Sequence, residues 1–199
     1  KDIEDEIEKI YFEKKFVLSD WKNVGKVSFW NGSIDLYIEG ILKAVDVNKI
    51  KSKKFHVVLD CGNGAGSLVA PKLLEKLNCK TTYLFCEPDG TFPGHNSEPL
   101  PENLTVLIKK VPEVNADIGV AQDGDADRAI FIDEKGTYIW GDKTLALGAK
   151  YATKENGGIA VTPVTTSSCF DDVVLKNNGN VIHTAVGSPI VARVMIKEK

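Results

Sequence analysis

From residue 55 onward, short apolar runs alternate with segments of helical periodicity, and this alternation restricts the possible folds most strongly. The predicted strands are residues 55–59, 81–86, 118–121, 129–132, 137–140, 159–162 and 180–184. The predicted helices are residues 68–77, 104–111, 142–153, 167–175 and 189–196. Strands that alternate with helices are typical of an α/β fold with a largely parallel sheet. We therefore predict three-layer α/β/α sandwich domains with mixed, mostly parallel sheets.

The segments before residue 55 and one glycine-containing turn predict the domain organisation. Residues 2–15 show helical spacing, residues 24–30 suggest a short strand, and residues 34–45 form an amphipathic helical pattern. The turn sequence Glu-Asn-Gly-Gly at residues 155–158 is typical of a boundary, because the strand and helix pattern restarts after it. The predicted parts are residues 1–33, 34–156 and 157–199.

Composition and charge narrow the class of protein. Hydrophobic residues make up 43% of the 199 residues and charged residues 27%, which is typical of an ordinary globular protein. The formal net charge of -3 provides no general attraction to nucleic acid or to a membrane, so neither is predicted as a partner. No apolar stretch approaches the roughly 18–20 residues that cross a bilayer. The four cysteines form neither a CxxC pair nor a metal-ligand spacing with histidine. We interpret them as small buried residues in a reducing compartment, and we predict a cytoplasmic protein.

The run Asp-Gly-Asp-Ala-Asp-Arg at residues 123–128 is the strongest functional signal. The carboxylates of Asp123, Asp125 and Asp127 repel one another unless a cation neutralises them, and Mg²⁺ prefers such oxygen ligands. Arg128 could offer a two-pronged donor to a phosphate group. The run predicts metal-assisted phosphate chemistry, and a solvated polar turn between two strands is the alternative interpretation.

A calcium-binding EF-hand must also be considered for this run. The three aspartates fall on ligand positions 1, 3 and 5 of that motif, and Glu134 falls on position 12. However, Arg128 occupies position 6, where the sharp turn of an EF-hand requires glycine. The flanking segments are predicted strands instead of helices, so the calcium interpretation is rejected.

A glycine-rich loop at residues 60–67 is a second candidate site. It follows a predicted strand and precedes a helix, as a dinucleotide-binding loop does, and Glu87 or Asp89 could then hold a ribose. The third glycine of that motif is replaced by Ser67. A tight strand-to-helix turn with positive φ angles is the favoured interpretation, and a nucleotide-dependent oxidoreductase is the minor alternative.

Several segments together resemble the α-D-phosphohexomutases, the phosphoglucomutase/phosphomannomutase family. They are residues 57–67, 88–104, 123–133, 141–143 and 184–195. The alanine in the aspartate run is most similar to the archaeal branch. The resemblance implies that residues 1–33 are the end of domain 1, residues 34–156 the metal-binding domain 2, and residues 157–199 the first part of domain 3. Family members have four domains, so the chain is expected to be a central fragment.

The resemblance also implies an activity and a set of partners. Mg²⁺ bound by Asp123, Asp125 and Asp127 would act on a phosphoserine, and Arg128 would be catalytic. The implied reaction interconverts hexose 1-phosphate and hexose 6-phosphate, for glucose or mannose, through a bisphosphate. The alternatives are a phosphoglucosamine mutase and a non-catalytic, truncated paralogue that binds a metal or a partner. The expected partners are a hexose phosphate and the remaining domains, and a homodimer is compatible with the resemblance.

The chain departs from the family pattern at three basic positions. Ala185 stands where many relatives have lysine, and His183 and His95 stand where arginine is common. Each change removes fixed positive charge near an anionic substrate, so rate or specificity is expected to differ.

Overall fold

The first unit of the chain is a helix followed by residues without regular secondary structure. A computed structural model describes residues 2–153 and 157–198, and the chain divides into two compact units at Ser33 and Ile34. Helix α1 (Asp2–Glu13) confirms the helical spacing of the opening residues. Residues 14–32 contain neither helix nor strand, so the strand predicted at 24–30 is wrong. A strand needs a neighbour for its backbone hydrogen bonds, and these residues have none within the described part of the chain.

Two helices open the second unit. Helix α2 (Ser33–Ala44) confirms the amphipathic helix predicted at 34–45, and its Ile38 is completely buried. Helix α3 (Val47–Lys53) is an additional helix, outside the elements that the sequence pattern predicts. Its N-terminus is capped by Asp46, whose carboxylate accepts a hydrogen bond from the Lys49 amide at 2.9 Å.

A five-stranded mixed sheet forms the centre of the second unit. Its strands are β1 (His56–Asp60), β2 (Lys80–Leu84), β3 (Ile118–Gln122), β4 (Ala129–Ile132) and β5 (Tyr138–Ile139), in the order β2-β1-β3-β4-β5. Strand β1 pairs in parallel with β2 and β3, whereas the β3–β4 and β4–β5 pairs are antiparallel. All five residues of β1 are buried. The carboxyl ends of β1, β2 and β3 therefore lie at one edge of the sheet, where α/β proteins bind ligands.

Helices connect the parallel strands and complete the core. The helix predicted at 68–77 is divided into a 3-10 turn (Ala65–Leu68) and helix α4 (Ala70–Lys76). Helix α5 (Thr105–Glu113) packs against β1 and β3. The buried core cluster consists of Val58, Leu104, Leu107, Val111, Ala116, Ala121 and Ile132. This core fixes β3, and with it the loop that follows β3.

A second, two-stranded sheet occupies the rest of the described chain. Strands β6 (Gly158–Pro163) and β7 (Gly179–Thr184) pair in parallel. They are accompanied by helices α6 (Gly141–Thr153), α7 (Ser168–Lys176) and α8 (Ser188–Lys197). These elements confirm the predicted α/β class with mixed, mostly parallel sheets. Residues 154–156 of the predicted boundary turn lie outside the described residues.

None of the described helices is long and apolar enough to cross a membrane.

Candidate metal centre

A tight turn after β3 brings three carboxylates together. The Ala126 amide donates a hydrogen bond to the Asp123 carbonyl oxygen at 3.1 Å, and Ala126 has a φ of 62°. One ligand oxygen from each of Asp123, Asp125 and Asp127 lies within 4.8 Å of the others. The structure therefore places the three predicted ligands side by side at the carboxyl edge of the sheet. Closely spaced carboxylate oxygens are the donor set that suits a hard cation such as Mg²⁺.

The environments of the three carboxylates differ. Asp123 is 3% exposed, whereas Asp125 and Asp127 are exposed to solvent. Burial acts to raise the pKa of Asp123, but hydrogen bonds from Arg128 and Asp127 outweigh it, so the pKa is lowered. The pKa of Asp127 is raised, first by its hydrogen bond to Asp123 and then by the charge of Asp125. The charge effects on Asp127 reflect repulsion between neighbouring carboxylates. A bound cation would relieve this repulsion, so the three residues fit a metal ion.

Arg128 is held by acids on two loops. Its Nε donates to Asp123 Oδ2 at 2.7 Å and lies 3.6 Å from Asp127 Oδ1. Its Nη1 and Nη2 donate to Glu98 Oε1 and Oε2 at 2.5 and 3.0 Å. These hydrogen bonds, with those to Glu98 first, raise the pKa of Arg128 further above its already high value. The guanidinium is therefore always charged, and its side chain remains 55% exposed.

Glu98 is the site residue that the sequence interpretation missed. It lies in the long loop between β2 and α5, thirty residues from Arg128 in the chain. The same loop also contains Glu87, Asp89 and Glu102, and no spacing in the sequence selects Glu98 as the partner of Arg128. The pairing of Glu98 with Arg128 is visible only in the folded structure, because it joins two loops that are thirty residues apart in the chain.

The glycine-rich loop (residues 60–67) contacts the candidate metal loop (residues 123–128). Gly62 and Asn63 have φ values of 52° and 59°, as the tight-turn interpretation requires. The Ala65 amide donates to the Gly124 carbonyl oxygen at 3.0 Å. A Cβ atom on Gly64 would lie 2.5 Å from that same oxygen, so only glycine allows this approach. These contacts make the loop a support for the metal loop.

His95 has a structural partner that the sequence did not indicate. Its Nε2 lies 3.0 Å from Oδ1 of the buried Asp60, and its Nδ1 lies 2.7 Å from the Asn96 carbonyl oxygen. The imidazole therefore ties the long loop to the end of β1. His183 and Ala185 lie at the end of β7 and just beyond it, and His183 Nε2 lies 3.0 Å from Asp171 Oδ2.

Two family models match consecutive parts of the chain. The model for phosphoglucomutase/phosphomannomutase α/β/α domain II matches residues 35–136, and the model for α/β/α domain III matches residues 140–199. Their α/β/α description agrees with the predicted three-layer sandwich. The models divide the chain before α6, whereas the sequence pattern placed the division at residues 156 and 157.

Similar proteins are considerably longer than this chain. A phosphoglucomutase/phosphomannomutase of Thermococcus kodakarensis is 45% identical over 192 residues, which are 96% of this chain and 42% of that protein. A probable phosphoglucosamine mutase of Methanosphaera stadtmanae is 41% identical over 199 residues, which are 100% of this chain and 43% of that protein.

A solved structure also matches this whole chain with less than half of its own length. A phosphoglucomutase/phosphomannomutase family protein of Burkholderia thailandensis has a TM-score of 0.77 at 25% identity. The match covers 100% of this chain and 42% of that one. The two family models, the sequence identity and this structural likeness agree, and the chain belongs to the phosphoglucomutase/phosphomannomutase family.

Proposed function

We propose that this chain is the metal-binding part of a Mg²⁺-dependent phosphohexomutase that interconverts hexose 1-phosphates and hexose 6-phosphates. Glucose and mannose phosphates are the proposed substrates. The observation that carries the proposal is the cluster of three carboxylates within 4.8 Å at the carboxyl edge of the sheet, in a chain of this family.

The residues of the cluster have distinct proposed roles. Asp123, Asp125 and Asp127 would hold Mg²⁺, which when bound withdraws negative charge from a phosphoryl group. Arg128 uses three of its N–H groups on Asp123 and Glu98. Because a guanidinium has five N–H donors, the others are available to a phosphate oxygen. Glu98 would orient Arg128 for that contact.

The proposed reaction also needs a phosphoserine and residues that recognise the sugar. A phosphoserine would transfer its phosphoryl group to the sugar phosphate, and the bisphosphate would reorient and return the other phosphoryl group to the serine. The chain spans 42–43% of the length of its first two curated relatives. We propose that the serine and the sugar-recognition residues belong to domains that the longer relatives possess.

Glucosamine phosphate is a second candidate substrate. Its support is that probable phosphoglucosamine mutases of Methanosphaera stadtmanae and Methanococcoides burtonii are 41% and 44% identical to this chain. Their identities are close to that of the Thermococcus kodakarensis protein, so identity does not separate the substrates.

Metal binding can be tested on the 199-residue chain by calorimetric titration with MgCl₂. Asp125→Asn removes one exposed ligand and is expected to weaken Mg²⁺ binding roughly tenfold or more. Asp172→Asn, an exposed acid on α7, is the matched control and should bind Mg²⁺ like the unaltered chain. Equal affinities in the two variants would reject the ligand assignment.

Turnover can be tested on the complete polypeptide with the 1-phosphates of glucose, mannose and glucosamine. We expect Mg²⁺-dependent turnover of at least one of them, loss of that turnover with Asp125→Asn, and retention with Asp172→Asn. The preferred sugar identifies the substrate class. If the complete polypeptide binds Mg²⁺ but converts none of them, a non-catalytic paralogue replaces the proposed mutase.

A further inference from the structure

Two cysteine thiols face each other beside the metal loop. Cys61 directly follows β1, and Cys86 follows β2 by two residues. The two sulfur atoms lie 3.4 Å apart, although the residues are 25 positions apart in the chain. Cys79 and Cys169, the other two cysteines, are not part of this contact.

The backbone pairing of two neighbouring strands fixes this contact. Asp60 lies opposite Leu84 in the parallel β1–β2 pair, and the Cys61 amide continues the ladder by donating to the Leu84 carbonyl oxygen at 3.3 Å. The Cys86 thiol is anchored on the other side, with Sγ lying 3.2 Å from the same carbonyl oxygen. The two sulfurs therefore meet because of the sheet register.

The two thiols differ in burial, so an oxidant in solution can reach one of them before the other. Cys61 is completely buried, whereas Cys86 is partly exposed. The Cys61 Sγ also lies 3.8 Å from Oε1 of Gln122, the residue directly before Asp123. A metal ion bound by these thiols is not supported, because among residues 2–153 and 157–198 only the three aspartates form a metal-competent group.

We propose that Cys61 and Cys86 are a site of reversible oxidative modification, at which a peroxide converts the two thiols into one disulfide. The proposal rests on the sulfur contact and does not depend on the proposed mutase activity.

The reaction balances with hydrogen peroxide as the oxidant. The Cys86 thiolate attacks a peroxide oxygen, the O–O bond breaks, and Cys86 becomes a sulfenic acid while hydroxide leaves. The Cys61 sulfur then attacks the Cys86 sulfur, the S–S bond forms, and the S–O bond breaks. The hydroxyl leaves as water with the proton of Cys61. Two thiols lose two electrons in total, and the peroxide is reduced to two water molecules.

The local electrostatics assign the attacking sulfur. The contact with the Cys61 thiol is the main cause that lowers the pKa of Cys86, despite the opposing effect of burial. The same contact, together with burial, raises the pKa of Cys61. Since the thiolate is the nucleophile and Cys86 is the more exposed sulfur, Cys86 reacts first and Cys61 resolves the sulfenic acid.

The test is mass spectrometry of the 199-residue chain after hydrogen peroxide treatment and alkylation of free thiols. We expect alkylated cysteines to fall from four to two. Before alkylation the intact chain should lose about 2 Da, the mass of two hydrogens. Peptide mapping should join the Cys61 and Cys86 peptides, and dithiothreitol should restore all four thiols.

Variants separate this pair from the other cysteines. The double variant Cys79→Ser/Cys169→Ser keeps only the proposed pair and should still lose about 2 Da, whereas Cys86→Ala should form no disulfide. Cys86 is chosen because replacement of the fully buried Cys61 could prevent folding. The proposal is overturned if peroxide leaves four alkylatable thiols, if the cross-link joins another pair, or if Cys86 only gains oxygen.

Discussion

Glu98 and Arg128, thirty residues apart in the chain, form a two-pronged ion pair with distances of 2.5 and 3.0 Å. The same guanidinium donates to Asp123 at 2.7 Å. Arg128 therefore connects the loop before α5 to the metal loop, and its orientation is restrained by both.

The strength of this connection can be measured by a double-mutant cycle with Glu98→Gln and Arg128→Lys. Because the pair is about half exposed, we expect a coupling free energy of only about 0.5–1 kcal/mol in urea unfolding. The Lys110–Glu113 pair on α5, which is a single-contact pair within one helix, is the control, with an expected coupling of about 0.2–0.5 kcal/mol. A coupling no larger than the control would show that the two-pronged geometry adds no stability.

Gly64 is expected to tolerate no side chain. In Gly64→Ala the new methyl group meets the Gly124 backbone oxygen, which cannot rotate away, so the free energy of unfolding should fall by about 1–3 kcal/mol. Gly90→Ala is the control, since a Cβ there has no atom within 4 Å and should change stability by less than about 0.5 kcal/mol. Guanidinium unfolding of the two variants makes the comparison, and equal losses would contradict the close approach.

Ala126 adopts a left-handed conformation that glycine would adopt more easily. Because this conformation costs an L-residue about 1–2 kcal/mol and glycine loses about 0.5–1 kcal/mol in entropy, Ala126→Gly should raise stability by about 0.5–1 kcal/mol. The same substitution at Ala149, in the interior of α6, should lower stability by about 1 kcal/mol. Thermal unfolding of both variants checks the opposite signs, and a loss at Ala126 would be the contrary result.

Truncation of two adjacent residues of α5 should lower the free energy of unfolding by very different amounts. Leu107 is 0% exposed in the core, so Leu107→Ala should cost about 2–5 kcal/mol in chemical unfolding. Val106 is 45% exposed, and Val106→Ala should cost less than about 0.5 kcal/mol. Similar costs would mean that α5 presents a different face to the sheet.

Asp133 should make the β4–β5 hairpin sensitive to acid. The Thr137 and Lys135 amides donate to its Oδ1 at 2.7 and 3.0 Å, and the Thr137 hydrogen bond is the main reason that its pKa is lowered. A carboxyl with a lowered folded pKa contributes stability above its unfolded pKa of about 3.9 and loses it as the pH falls through the folded value. NMR titration should therefore give an inflection below about 3.9, and Asp133→Asn should reduce the acid-induced loss of stability. An inflection at or above the ordinary value would contradict this prediction.

The features that the sequence predicted are local ones. Strand β3 and the aspartate run are adjacent in the chain, so apolar patterning and alternate carboxylates indicated the metal loop directly. The Glu98–Arg128 and Cys61–Cys86 contacts could not be predicted, because each depends on loops and strand register that join distant residues. The failed strand at 24–30 shows the same limit, since apolar patterning does not supply a neighbouring strand.

The carboxylate cluster also has a consequence for the order of binding. Together with their neighbours Glu98 and Arg128, the three aspartates carry four formal negative charges and one positive charge. Their sum of -3 equals the formal net charge of the whole chain. The formal charges of the remaining residues therefore sum to zero. At physiological ionic strength, salt screens the electrostatic field of the cluster beyond a Debye length of about 8 Å. Under the proposed function, a phosphorylated sugar would be repelled by these charges until a cation had bound. The expected order of binding would then be metal first and sugar phosphate second.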